Sequence, residues 1–470
     1  MQKYFPLFFA FVLWTIPAIA QQHEASEDYV YPTDTAVVKN LKKWQDRKFG
    51  LFMHWGTYSQ WGIVESWSLC PEDEPWTQRK GPYSKDYFTY KKAYENLQTT
   101  FNPTKFNPEK WVDAAKNAGM KYVVFTTKHH DGFCMFDTHQ TDYKITSDKT
   151  PFSKNPRANV AKEIFSAFRQ QDFMIGAYFS KPDWHSPYYW SSYFPPKDRH
   201  VNYDPEKYPE KWQQFKEFTF NQIGELMGDY GKMDILWLDG GWVRPVHRTE
   251  PNTTHESRYY NQDINMAGIA KMARSKQPGL IIVDRTVAGE FENYTTPEQQ
   301  VPDKPLDHPW ESCITMGNSW SYVPGDHYKS AKDIITLLVK IVSRGGNLLL
   351  NIGPGPDGDW DPVAYQRLEE IGKWMKVNSE GIYYSKAVPP YSEGNIYYTQ
   401  SAAGNTIYAY VLDDSISSRS LTLHVNDPKK IKKITLLQNG KKVKWKAADD
   451  ALNISLPAHF TWGNVLKIEY

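Results

Sequence analysis

The sequence predicts an α/β protein: a (β/α)8-like (TIM) barrel over residues 21–384, followed by a C-terminal antiparallel β-sandwich over residues 385–470. Three observations predict it. Short apolar runs alternate with amphipathic stretches through most of the chain. Polar residues recur at or just after the C-terminal ends of those runs, the face on which barrel enzymes carry their sites. After about residue 385 the pattern changes to short alternating segments with turn signals. An open doubly wound sheet is the runner-up, but no Gly-x-Gly-x-x-Gly follows a strand, which weighs against a dinucleotide-binding version.

Residues 1–20 read as a cleavable signal peptide. Lys3 is the positive start, Leu7 to Ile16 the apolar run, and Ala18-Ile19-Ala20 a small-residue cleavage site before Gln21-Gln22. The run is shorter than the ~20 residues that a spanning helix needs. A secreted or periplasmic protein with no membrane span is expected.

Strands are expected at Gly50-Leu51-Phe52-Met53-His54-Trp55, Tyr122 to Thr127, Met174 to Phe179, Asp234 to Leu238, Leu280 to Val283 and Asn347 to Ile352. Continuous apolar runs of this kind suit strands buried on both faces. Helices are expected at Pro108 to Ala118, Val160 to Phe168, Lys211 to Met227 and Ala331 to Val342; the last carries Ile334, Leu337, Leu338 and Ile341 at helical spacing. The polar residues at strand ends are His54, Lys128-His129-His130-Asp131, Asp183-Trp184-His185, Asp239 and Asp284-Arg285. In the last region Asn405 to Val411, Ser420 to Val425, Lys433 to Leu437 and Val465 to Ile468 alternate as strands, with a hairpin turn at Asn439-Gly440.

Composition narrows the function. The 470 residues carry a formal charge of only +1, so no strong field favours nucleic acid or a membrane surface. Aromatics are 15% of the chain, with 18 Trp and 31 Tyr, more than an ordinary core needs. Exposed aromatic faces suit pyranose rings, although the same rings also fill cores. Cys70, Cys134 and Cys313 form neither a disulfide framework nor a zinc pattern, and Cys134 between Phe133 and Met135 reads as a buried thiol.

There is no Gly-x-Ser-x-Gly elbow, His-Glu-x-x-His or phosphate loop. His129-His130-Asp131 is a candidate metal cluster, but adjacent residues on a strand point to opposite faces. Hydrogen bonding to sugar hydroxyls is the better reading, and no metal or other cofactor is expected. Asp239 follows the apolar run Ile235-Leu236-Trp237-Leu238 and precedes Gly240-Gly241, a position suited to a nucleophile; a helix-capping acid is the plain alternative. Glycoside hydrolysis needs a second carboxyl group. Glu290, Glu292, Glu298 and Glu311 are candidates among which spacing does not choose.

From about Asn40 through Gly381 the chain resembles the α-L-fucosidases of glycoside hydrolase family 29, of the secreted bacterial kind. The resemblance rests on Phe49-Gly50-Leu51-Phe52-Met53-His54-Trp55-Gly56, Thr126 to Phe133, Leu236-Trp237-Leu238-Asp239-Gly240, Val283-Asp284-Arg285, Trp310-Glu311-Ser312 and Ser343 to Pro354. It implies a metal-free retaining exo-hydrolase acting on terminal α-linked L-fucose of glycans or oligosaccharides, with Asp239 as nucleophile. It implies sugar contacts from His54, Glu65, Trp67, His129, His130, Tyr178, Trp237 and Arg285, with Trp320 against the C5 methyl group. Glu65-Ser66-Trp67 departs from a common Glu-Trp pair, and Phe179 stands where relatives often carry a second Tyr. Thr296-Pro297-Glu298-Gln299 resembles the segment that supplies the acid/base, so Glu298 is expected in that role. Glu311 is the rival, read as a pocket-wall or supporting acid. The alternative of another class is a fucose-binding lectin on an inactive barrel, which the presence of both Asp239 and Glu298 disfavours.

Overall fold

The computed structural model describes residues 29–71, 79–246, 260–413, 420–457 and 459–470. The signal-peptide reading at 1–20 lies outside them, as does Asn252-Thr253-Thr254, which has the Asn-x-Thr pattern of a glycosylation acceptor.

Seven parallel strands form the barrel wall in the order β5-β4-β3-β2-β1-β7-β6. They are β1 (Phe49–Met53), β2 (Tyr122–Lys128), β3 (Met174–Ser180), β4 (Ile235–Asp239), β5 (Ile281–Asp284), β6 (Glu311–Thr315) and β7 (Asn347–Asn351). The edges β5 and β6 do not pair with each other. Residues 292–299 fill the gap as an irregular eighth stave, with bridges Val283↔Glu292, Thr295↔Trp310 and Glu298↔Cys313. Its backbone is satisfied across both edges: Asn293 N–H donates to Ile282 C=O (2.9 Å), Glu311 N–H to Thr295 C=O (2.9 Å) and Gln299 N–H to Cys313 C=O (3.0 Å).

Every strand but β4 is buried along its whole length, as continuous apolar runs predict, and on β4 only Asp239 is less than buried. The period of two sorts their side chains. Val123, Phe125, Leu236, Leu238 and Ile282 face the helices. Phe52, Tyr122, Val124, Tyr178, Ile235, Trp237, Ile281, Val283, Cys313 and Leu349 fill the barrel interior.

The helices are α1 (Thr35–Arg47), α2 (Tyr87–Glu95), α3 (Pro108–Asn117), α4 (Val160–Gln170), α5 (Pro209–Asp229), α6 (Met266–Lys276), α7 (Ala331–Ser343) and α8 (Pro362–Asn378). Four of them are those expected from helical spacing. α1, capped by the Asp34 side chain, sends Leu41 and Trp44 into the barrel interior, where Trp44 stacks on Tyr294 at 3.9 Å.

Beyond α8, two antiparallel sheets face one apolar core that includes Tyr398, Ile407, Leu423, Ile454 and Leu466. One has five strands and the other three. The Asn439-Gly440 turn is present, with Gly440 at φ +67 and Val443 N–H donating to Ile434 C=O. This region docks on α8, where the Trp374 indole donates to Gly463 C=O (3.0 Å).

Candidate active site

The C-terminal ends of the strands open into a cavity of about 470 Å³, the size of a small-ligand site. Strand alternation builds it. On β1, interior Phe52 places His54 two residues on at the mouth; on β4, interior Trp237 does the same for Asp239. Tyr178 comes from β3, His129 and His130 from the turn after β2, Arg285 from the residue after β5, and Glu298 from the eighth stave. Glu65, Trp67 and Trp320 enter on loops. All of these sequence-derived candidates line one cavity.

Glu311 does not, which corrects its reading as a pocket-wall acid in contact with the sugar and leaves that of a supporting acid. It is the first residue of β6 and wholly buried, below the cavity floor, whereas Asp239 is the last residue of β4. The same face of β6 reaches the cavity only at Cys313 and Thr315.

Asp239 is 15% exposed. Its Oδ1 accepts the Gly240 N–H (2.8 Å) and its Oδ2 accepts the Tyr178 hydroxyl (2.8 Å). Gly240 has φ +87, and a Cβ there would stand 2.3 Å from Pro182 Cδ, so only glycine makes this turn. Burial by itself would raise the Asp239 carboxyl. The Arg285 guanidinium and the Tyr178 hydroxyl outweigh it and hold the group well below the usual carboxylate range. Arg285 Nη1 lies 3.3 Å from Asp239 Oδ1 while Nη2 ion-pairs with Glu298 Oε2. Its Nε donates to Thr296 Oγ1 (3.0 Å). One guanidinium therefore sits between the two carboxyl groups, on a side chain fixed at all three nitrogens.

Burial keeps the three histidines neutral. Asn351 Nδ2 donates to Trp320 C=O (2.7 Å), which leaves Asn351 Oδ1 to accept from His54 Nδ1 (2.8 Å). The His54 Nε2 lone pair is thus left for a hydroxyl hydrogen, and burial lowers the ring's pKa to about 4. Burial likewise lowers His129 well below its usual value, and His130 to about 3.

His129 Nδ1 is held by Ser66 Oγ (2.5 Å) and His130 Nδ1 by Ser180 Oγ. The expectation that these two rings diverge is corrected. β2 ends at Lys128, so strand alternation does not reach them, and their centroids lie 4.2 Å apart. Ligand atoms of His129, His130 and Asp239 fall within 4.8 Å of one another. A cation there would face the Arg285 guanidinium already on the same carboxylate, so the set suits sugar hydroxyls better than a metal.

The other charged residues at strand ends serve the fold. Lys128 pairs with Asp183 at 3.0 Å, Lys181 with Asp284, and Asp131 accepts the Tyr94 hydroxyl (2.8 Å). Ser66, by contrast, links two of the expected parts, because it accepts the Asp131 N–H (2.9 Å) while holding His129. Sequence reasoning missed Phe52, Val64, Trp242, Gln299, Cys313, Thr315, Asn318, Ser319 and Lys329 in the lining. Phe52 was readable as the interior residue before His54, and Trp242 from its place after Gly240-Gly241. Lys329 left no signal.

Glu65 is buried, and its carboxylate oxygen accepts the Ser321 N–H (2.8 Å). Burial nevertheless pushes its carboxyl up to about 8. An unfolded Glu ionises near ~4.3. Between these values the unfolded chain has lost a proton that the folded chain keeps, so this group's contribution to stability falls as pH rises. In Glu65→Gln that loss is absent. The melting temperature of the variant minus that of the wild type should grow from about pH 5 to about pH 8. A difference independent of pH would mean that Glu65 is ionised throughout.

Comparison with known proteins gives a consistent result. Residues 17–380 match the sequence model of the family described as Alpha-L-fucosidase, and residues 390–469 that of the Alpha-L-fucosidase C-terminal domain. The chain is 30% identical to human tissue alpha-L-fucosidase over 447 residues, covering 90% of this chain and 88% of the relative. It is 27% identical to human plasma alpha-L-fucosidase over 441 residues, covering 89% and 86%. Among solved structures it is similar to alpha-L-fucosidase isoenzyme 1 from Paenibacillus thiaminolyticus, with a TM-score of 0.74 and 29% identity, covering 93% of this chain and 99% of that one. An alpha-L-fucosidase GH29 from Bacteroides thetaiotaomicron shares the fold, with a TM-score of 0.74 at 24% identity, covering 94% and 96%.

Proposed function

Since the chain belongs to the α-L-fucosidase family, glycoside hydrolase family 29, we propose that it removes terminal α-linked L-fucose from glycans by a two-step retaining mechanism centred on Asp239. The protein is an α-L-fucosidase, a glycoside hydrolase acting on fucose-containing substrates. What supports the two-step course is the pair of carboxyl groups, Asp239 and Glu298, held on one guanidinium in a cavity lined by neutral imidazoles.

In the first step an Asp239 oxygen bonds to the anomeric carbon as the bond to the leaving oxygen breaks, and Glu298, which must enter this step as the carboxylic acid rather than as the carboxylate paired with Arg285, gives that oxygen its proton. The depressed Asp239 carboxyl is ionised across the whole working range, as a nucleophile requires. In the second step Glu298 takes a proton from water, whose oxygen displaces Asp239. His54 Nε2 accepts a hydroxyl hydrogen of the sugar, and the His129 and His130 rings hydrogen-bond its other hydroxyls. Two inversions return the α configuration.

Trp320 and Phe52, 5.9 Å apart, form an apolar wall suited to the C5 methyl group. An aryl α-L-fucoside should therefore be hydrolysed on the order of 10- to 100-fold more efficiently than the L-galactoside, which adds a hydroxyl against that wall. Equal kcat/KM on both would remove the wall from the account. No turnover of either, with L-fucose still bound, would favour the lectin reading. Among the described residues no helix is long and apolar enough to cross a membrane. The N-terminal sequence supports export to the periplasm or medium.

A further inference from the structure

Glu311 is a buried carboxyl group that the mechanism above does not use. It lies on the interior face of β6, among groups from four other elements. The Tyr122 hydroxyl donates to Oε2 (2.6 Å) and the Trp237 indole N–H to Oε1 (3.4 Å), while the Tyr294 hydroxyl and the Trp44 indole also face it. Burial pushes its carboxyl up to about 7, and the hydrogen bonds from Tyr122 and Trp237 oppose that shift. Gly50 makes the arrangement possible, because a Cβ there would stand 2.3 Å from the Tyr122 ring. A leucine would fill this space without the cost of desolvating a carboxyl group.

Of the four partners only Trp237 also lines the cavity. Its indole stacks on Tyr178 (5.3 Å, 24°), whose hydroxyl donates to Asp239, and the Arg285 guanidinium lies 5.3 Å over it. Stacking fixes the plane of an indole but not which of its edges a flip about the Cβ–Cγ bond turns inward. A hydrogen bond from Nε1 to Glu311 selects the edge.

We propose that Glu311 is a positioning residue of the fucosidase site, which orients the Trp237 indole as the floor on which Tyr178, Arg285 and the sugar rest. The inference deepens the fucosidase reading and rests on it. Glu311→Gln, Trp237→Phe and the double variant test it, each assayed on an activated aryl fucoside and a fucosylated oligosaccharide. Inhibition by L-fucose and melting temperature are measured alongside.

Each single variant should lower kcat/KM about tenfold and raise the L-fucose Ki in proportion, with the same loss on both substrates and no azide rescue. The double variant should be no worse than the poorer single variant, a non-additivity that a purely structural role would not produce. Additive losses, wild-type-like kinetics in either single variant, or azide rescue at Glu311 would overturn the proposal. If Glu311→Gln does not fold, Tyr122→Phe carries the test. It frees the oxygen that aims the carboxylate and should raise the L-fucose Ki several-fold, whereas an unchanged Ki overturns the proposal. A wild-type enzyme that does not hydrolyse fucosides overturns the fucosidase reading first and this inference with it.

Discussion

Asp239→Ala should lower kcat on fucosides by on the order of 10⁴-fold while leaving the fold intact. The fold survives because the Arg285 guanidinium keeps Glu298 as its counter-charge, so no buried cation is stranded. The loss is large because the Gly240 N–H and the Tyr178 hydroxyl both donate to Asp239, and Glu298 shares with it only the Arg285 guanidinium. Azide should restore part of the turnover by entering the space left on the open face of the sugar. One displacement then replaces two, so the product is β-fucosyl azide, with inverted configuration. Wild-type-like turnover in the variant, or a rescued product of α configuration, would remove Asp239 from the nucleophile's role.

Glu298→Ala should be the next most damaging change, and its damage should depend on the leaving group. Protonation of the departing oxygen contributes roughly 10²–10⁴-fold when that oxygen is a poor leaving group and little when it belongs to an activated aryl fucoside. Hydrolysis of fucosylated oligosaccharides should therefore collapse, while formation of the fucosyl-enzyme from the aryl substrate persists. Release of that intermediate should slow, because the base that activates water is gone. Azide needs no base and attacks the carbon held by Asp239, so the rescued product is α-fucosyl azide, with retained configuration. Rescue and leaving-group dependence at Glu311 instead would transfer the acid/base role there, although the burial of Glu311 below the cavity floor argues against it.

Where apolar runs end in a polar residue, the site could be read from the sequence. His54 and Asp239 follow interior Phe52 and Trp237 at the spacing of two that a strand imposes, so strand and site residue come from one pattern. β6 gave no such run, because its interior positions are Glu311, Cys313 and Thr315, residues spent on the site and its support rather than on apolar packing. Spacing alone could not separate Glu298 from Glu290, Glu292 or Glu311. The stave that carries Glu298 is not a regular strand but is held by single bridges to β5 and β6. The depth of Glu311 was hidden for the same reason: its distance from the mouth follows from being the first residue of a strand whose start the sequence did not mark. The convergence of His129 and His130 was misread because strand alternation was applied to two residues that lie beyond the end of β2. α1 was passed over although Val37, Leu41 and Trp44 repeat at helical spacing behind Asp34, and its role as the plug beneath the barrel appears only once Trp44 meets Tyr294.

The most direct test of the account is to trap the intermediate. A fucosyl fluoride bearing fluorine at C2 slows both steps, because the fluorine disfavours positive charge at the anomeric carbon, while the fluoride leaving group still allows the first step to occur. After incubation, mass spectrometry of the intact protein should show one added fluorofucosyl group. Peptide mapping should place it on the segment containing Leu236-Trp237-Leu238-Asp239, with the ester on Asp239. An unlabelled protein that nonetheless turns over fucosides, or a label on any other carboxylate, would contradict the two-step mechanism on Asp239.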